Sequence, residues 1–109
     1  MKRLVLLMML LLLVSIALAS DGKLYVKTVL ENGDTVKNLK IETDWDHDVK
    51  EWTDKYGEAT LVLESFTREV KITIYVNNRI GFKGYVKPGQ EVTIPIKQNN
   101  GLLVPTYTP

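Results

Sequence analysis

The chain has 109 residues, no cysteine and a formal net charge of +1. This length fits a single domain, and the lack of cysteine excludes disulfide bonds and a cysteine-linked lipid anchor. Because lysines and arginines nearly balance the acids, the sequence offers no clustered basic footprint and predicts no nucleic-acid partner.

Residues 1–19 have the three parts of a secretory signal peptide. Lys2 and Arg3 form a basic start, residues 4–18 are almost uniformly apolar, and an A-x-A pattern ends at Ala19. We therefore expect cleavage after Ala19 and a secreted or extracytoplasmic protein. Removal of the two basic residues lowers the formal charge to −1. The alternative is an uncleaved N-terminal anchor, and only in that case does the sequence predict contact with a membrane.

From residue 23 onward, apolar and polar side chains alternate, which is the pattern of strands with one buried face. No segment after residue 19 has helical spacing, so the sequence predicts an all-β fold. Six or seven short strands separated by turn signals favour an antiparallel Greek-key β-sandwich of prealbumin or immunoglobulin type over residues 20–97. Residues 98–109 are predicted to be a C-terminal tail. Its apolar residues 102–104 are expected to pack back on the domain, and pairing with a partner is the alternative. The predicted core positions are Leu24, Val26, Thr28, Leu30, Leu39, Ile41, Thr43, Trp45, Ala59, Leu61, Leu63, Val70, Ile72, Ile74, Val76, Ile80, Phe82, Gly84, Val86, Val92, Ile94 and Ile96.

Glycine marks two of the predicted turns, and proline restricts the position of the last predicted strand. Gly33 and Gly57 follow polar residues and are predicted to take a positive φ in tight reversals. Pro95 lies within the last predicted strand. Because proline cannot donate to a strand ladder, this strand is expected at a sheet edge or at a bulge.

Three short motifs together resemble a known family. The chain contains G-x-x-V-x-N-L-x-I over residues 33–41, T-D-x-x-G over residues 53–57 and V-x-I-x-I-x-V over residues 70–76. This set resembles carboxypeptidase regulatory-like domains, which are prealbumin-like (transthyretin-like) sandwiches related in fold to Cna protein B-type repeats. The resemblance implies a non-catalytic module of extracytoplasmic proteins. We therefore expect a binding or structural role at the cell surface or outside the cell, with a protein or carbohydrate partner.

Asp44, Asp46 and Asp48 alternate in the acidic stretch after the second predicted strand. Ca²⁺ prefers six to eight oxygen ligands, so closely spaced carboxylates in a loop are candidate ligands, with Glu51 or Asp54 in support. The spacing does not match an EF-hand loop. The other interpretation is a solvated acidic loop without any cofactor.

The remaining polar residues of this stretch do not form a catalytic set. Asp54 is predicted to accept backbone N–H bonds in an Asx-turn that ends at Gly57. His47 is the only histidine, and the chain has no cysteine and the loop no serine to act as its nucleophile. The sequence therefore predicts that the protein is not an enzyme.

Three aromatic residues flank the acidic stretch. Trp45 is in phase with the second strand and is expected at the edge of the core. Trp52 and Tyr56 do not follow the alternation of a predicted strand, and they are the candidate ligand or partner surface. Two further hypotheses remain open: a Ca²⁺-dependent ligand-binding module that uses residues 44–54, and an assembly subunit that pairs through its Pro95 edge strand or its tail.

Overall fold

A computed structural model describes residues 22–46 and 48–107. The predicted signal peptide, His47 and the last two residues of the predicted tail lie outside the described residues. Within them the chain is all-β, as predicted, and no helix is long and apolar enough to cross a membrane. The strands are β1 Lys23–Leu30, β2 Lys40–Thr43, β3 Lys50–Trp52, β4 Glu58–Val62, β5 Val70–Val76, β6 Arg79–Val86, β7 Glu91–Asn99 and β8 Leu102–Pro105.

One sheet is mixed and has the strand order β4-β1-β7-β8. Strand β1 is antiparallel to β4, with Val26 opposite Ala59, and parallel to β7, with Val26 opposite Val92. Strand β8 folds back antiparallel on the end of β7, so that Lys97 lies opposite Val104. We call this sheet A.

The other sheet, sheet B, is antiparallel and has the order β3-β2-β5-β6. A bulge interrupts the pairing of β5 with β6, because Ile74 lies opposite Phe82 but the next residue, Tyr75, lies opposite Ile80. Gly81 is the extra residue. A Cβ there would lie 2.9 Å from Val76 Cγ2, so the close approach to β5 favours glycine.

The number and direction of strands differ from the sequence-based expectation. Eight strands are present among the described residues instead of six or seven, and the β1–β7 pair is parallel instead of antiparallel. Alternation shows which face of a strand is buried but not which strand lies beside it. Leu102–Pro105, expected within a tail, forms a strand that pairs with the domain.

The buried residues of both sheets form one hydrophobic core, and most predicted core positions are confirmed. The core comprises Leu24, Val26, Val36, Leu39, Ile41, Ala59, Leu61, Leu63, Phe66, Ile72, Ile74, Val76, Val86, Val92, Ile94 and Ile96. Ile80 is the informative exception. The Gly81 bulge shifts its alternation, so Ile80 lies beside Tyr75 on the outer face and is exposed.

Buried threonine hydroxyl groups fix the loop before β2 to the turn before β4. Thr53 Oγ1 donates to Val36 O over 2.7 Å and accepts from Leu39 N over 3.0 Å. The Thr28 hydroxyl lies 3.0 Å from Val36 O and 3.2 Å from Gly57 O. Both side chains are almost fully buried, so these bonds satisfy backbone groups that water cannot reach.

Pro95 lies where the ladder between β7 and β8 ends. The pairing runs only from Ile96 to Asn99 of β7, so the earlier part of β7 has β1 on one side and an open edge on the other. Thr106 N donates to Pro95 O over 3.1 Å at this point. The expectation that the strand with Pro95 is an edge strand is wrong, because β7 lies between β1 and β8, and Pro95 is placed only where its pairing with β8 ends.

Candidate functional site

The acidic loop between β2 and β3 is held by its own carboxylates. Asp44 Oδ1 accepts the Thr73 N–H over 2.8 Å, which extends the pairing of β2 with β5 by one residue. Asp46 Oδ1 accepts the Asp48 N–H over 3.0 Å, and Val49 N donates to Asp46 O over 3.3 Å. Two of the three predicted metal ligands thus have one oxygen engaged with the backbone.

The predicted Ca²⁺ ligands do not form a compact group in this structure. Among residues 22–46 and 48–107, no three histidine, aspartate or glutamate side chains lie where they could hold one metal ion. Asp44 is exposed just after β2, while Asp48 lies in the turn that Asp46 closes. A Ca²⁺ site at these residues stays a prediction.

Asp54 organises the turn between β3 and β4, as the sequence predicts. Its Oδ1 accepts the N–H groups of Tyr56 over 2.9 Å and of Glu58 over 3.1 Å. Gly57 N donates to Asp54 O over 2.9 Å, and Gly57 has a φ of 74°. Because three backbone N–H groups converge on one aspartate, the turn that presents Tyr56 has a defined shape.

Trp45 belongs to the edge of the core. Its indole N–H donates to Glu64 O over 2.9 Å, and its ring lies against Phe66 with the centroids 6.2 Å apart. The side chain is 37% exposed. Phe66 is fully buried but lies in the loop between β4 and β5, where no alternation marked it as a core residue.

Trp52 and Tyr56 are more than half exposed, at 56% and 59%. Trp52 ends the edge strand β3 and lies opposite Lys40, on the outer face of sheet B. Tyr56 lies in the following turn, with the Lys55 ammonium 5.1 Å from the centroid of its ring. The two rings do not pack on each other, and Thr53, which lies between them in the sequence, is buried and donates to Val36 O.

Two open depressions in the described surface lie elsewhere. One of about 410 Å³ is lined by the end of β1, the turn that follows it and the end of β7, including Asn32 and Lys97. Another, of about 260 Å³, involves Glu42 and Tyr75 on sheet B. Neither of these two depressions is lined by Trp52 or by the predicted metal ligands.

Sequence reasoning missed a set of lysines on the outer face of sheet B. Strand register places Lys40, Lys50, Lys71 and Lys83 on this face, one from each strand. Their alternation in each strand marks them as outward, but they are far apart in the sequence. Only the strand order brings them together.

Salt bridges neutralise little of this charge. Lys40 Nζ lies 3.1 Å from Glu42 Oε1, and the other ion pair among the described residues joins Lys87 to Glu69 over 3.7 Å.

Comparison of the chain with family models, with curated proteins and with solved structures gave no match.

Proposed function

We propose that this protein is an exported, non-catalytic recognition module with a prealbumin-like β-sandwich fold. Its ligand surface comprises Trp52 and Tyr56, and its ligand is a carbohydrate at the cell surface or outside the cell. A protein partner at the same surface is the alternative.

Two features of the fold support the sandwich. Two four-stranded sheets contribute their buried faces to one core. The chain also changes sheets four times, between β1 and β2, between β3 and β4, between β4 and β5, and between β6 and β7. Sheets that share a core and exchange consecutive strands in this way are typical of sandwich folds.

The observation that carries the function is the exposure of Trp52 and Tyr56 on a backbone held by hydrogen bonds. Exposing a large aromatic side chain forgoes the stabilisation of burying it, about 1.5–3 kcal/mol for a side chain such as Phe. A rigid backbone also lowers the conformational entropy that ligand binding would remove. An ordered turn with two exposed rings is therefore suited to recognition.

The surrounding polar groups suit a carbohydrate. Trp and Tyr offer a flat apolar face with a polar group at one end, which matches sugars that have both apolar faces and hydroxyl groups. In the described part of the chain, the side-chain hydrogen bonds of Asp54 all involve Oδ1. Its Oδ2 can accept a ligand hydroxyl beside Tyr56.

A panel of immobilised neutral and acidic oligosaccharides tests the proposal. We expect the full-length protein to bind at least one of them, and expect Trp52→Ala and Tyr56→Ala each to weaken that binding at least tenfold. Tyr25→Ala, on the outer face of sheet A, is the matched aromatic control and should bind like the wild type. Binding of no oligosaccharide, or equal binding by all variants, would reject the carbohydrate proposal.

Assembly is a second candidate because strand β8 is the outermost strand of sheet A. Leu102 is exposed on it, at 63%, and the outer edge of β8 has no strand beside it among the described residues. An open edge with an exposed apolar side chain can pair with another chain. Sedimentation of wild type and Leu102→Lys at increasing concentration tests this, and a wild type that stays monomeric would reject it.

A further inference from the structure

The outer face of sheet B combines lysines with exposed aromatic and aliphatic side chains. Besides the four lysines, strand register places Trp52, Tyr75, Ile80 and Tyr85 on this face. Trp52, Ile80 and Tyr85 are exposed, and Tyr75 is partly buried. We call these eight residues the lysine-aromatic face.

The charge of this face is positive. Glu42 lies opposite Lys50 and Tyr75 and forms the ion pair with Lys40. Asp44 lies at the end of β2, with its carboxylate bonded to the Thr73 N–H. The other three lysines form no ion pair within the described residues, so four positive charges stand against these two acids.

The residues of the lysine-aromatic face are distributed both across the four strands of sheet B and along them. Lys50 is on β3, at one edge of the sheet, and Lys83 is on β6, at the other edge. Along the strands, the row that contains Trp52 lies three rows from the row that contains Tyr85. With strands ~4.8 Å apart and a rise of ~3.4 Å per residue, the face measures roughly 15 Å by 20 Å.

We propose that the lysine-aromatic face docks on an anionic lipid bilayer. A planar anionic surface can contact all four lysines at once, whereas a linear polyanion follows one line and reaches only some of them. Lysines near such a surface are attracted electrostatically, and Trp and Tyr rings favour the level of the lipid headgroups. This docking needs no membrane-spanning segment. It goes beyond the proposed carbohydrate binding, with which it shares Trp52 but not Tyr56.

The test uses the full-length protein with Trp45→Phe, which leaves Trp52 as the only tryptophan. Its fluorescence is recorded with phosphatidylcholine vesicles and with vesicles that also contain phosphatidylglycerol. We expect the anionic vesicles alone to shift the emission to shorter wavelength and to protect Trp52 from acrylamide. An N-terminal segment inserted by itself would leave Trp52 accessible to acrylamide, so this signal reports the face.

Two double variants with the same change in charge provide the control. Lys71→Gln with Lys83→Gln removes two charges from the face, and we expect about 30-fold weaker partitioning onto anionic vesicles, from about 1 kcal/mol for each lysine. Lys23→Gln with Lys97→Gln removes two charges from the outer face of sheet A, where the opposite residues are Val62 and Val104. This control should partition like the protein without the lysine changes.

Three results would overturn the docking proposal. The first is an equal loss in both double variants, which would show an effect of net charge alone. The second is an absence of protection of Trp52 by anionic vesicles. The third is protection by soluble dextran sulfate but not by vesicles, which would assign the face to a linear polyanion.

Discussion

Thr43 and Thr53 are both buried, but only the Thr53 hydroxyl group has hydrogen-bond partners. Thr53 Oγ1 has two backbone partners, Val36 O and Leu39 N. Thr43 Oγ1 has no hydrogen-bond partner among the described residues. A buried hydroxyl without a partner lowers stability, because it loses its hydrogen bonds to water and gains none in return.

The same substitution should therefore act in opposite directions at these two positions. We expect Thr53→Val to lower the free energy of unfolding by about 2–3 kcal/mol, because two buried backbone groups lose their partner. Thr43→Val keeps the shape of the side chain and should raise stability by up to about 1 kcal/mol. Urea unfolding measures both, and a destabilised Thr43→Val would show that this hydroxyl has a partner in solution.

Gly57 and Gly33 both have positive φ but differ in the space around them. A Cβ at Gly57 would lie 2.6 Å from Thr28 O, whereas a Cβ at Gly33 would meet no atom within 4 Å. We expect Gly33→Ala to cost about 1 kcal/mol, from the unfavourable φ alone. Gly57→Ala should cost at least twice as much, because the backbone must also move. Equal losses in thermal melts would contradict the close packing of this turn.

At the scale of elements, the sequence predicted strand faces better than strand partners. The alternation in β1 and β5 identified the buried Val26 and Ile74 correctly, and the motif around Gly57 identified its turn. Alternation could not reveal the parallel pairing of β1 with β7, because that pairing depends on residues 66 positions apart, such as Val26 and Val92.

Strand β8 was missed because it lacks a clear alternation and ends at a proline. Its side chains nevertheless differ in burial: Leu103 packs against the core, while Leu102 is exposed. Leu103→Ser should lower stability by about 1–2 kcal/mol, and Leu102→Ser should leave it nearly unchanged. If denaturant unfolding shows equal effects for the two variants, β8 does not pack on the domain in solution.

The loop between β2 and β3 gives a prediction about metal binding. One oxygen of Asp44 and one of Asp46 accept backbone N–H bonds, and these bonds order the loop without a metal. We therefore expect the thermal midpoint of the protein to be unchanged by millimolar Ca²⁺. A Ca²⁺ site filled at 100 times its Kd would add ~2.7 kcal/mol, so a clear rise in the midpoint, absent with Mg²⁺, would establish the site.

The candidate site could be predicted in part because its signals are local. The Asx-turn at Asp54 and the lack of strand phase at Tyr56 are both visible within a few residues of sequence. The lysine-aromatic face was invisible for the opposite reason. Lys40 and Lys83 are 43 positions apart, and they share a face only because β2 and β6 lie on either side of β5.

At the scale of the whole molecule, the proposed recognition surface lies at one end of sheet B and not on sheet A. Trp52 and Tyr56 flank the turn that Thr53 and Asp54 fix to the core. Sheet A has its own outer face, with Tyr25 and Lys97 on it, and no role in ligand binding is proposed for that face.

Backbone amide NMR during titration with the oligosaccharide that binds most tightly tests this assignment most directly. The account predicts that the largest chemical-shift changes occur at Lys40, Trp52, Tyr56 and the amides bonded to Asp54. The largest changes on the outer face of sheet A, around Tyr25, would contradict it.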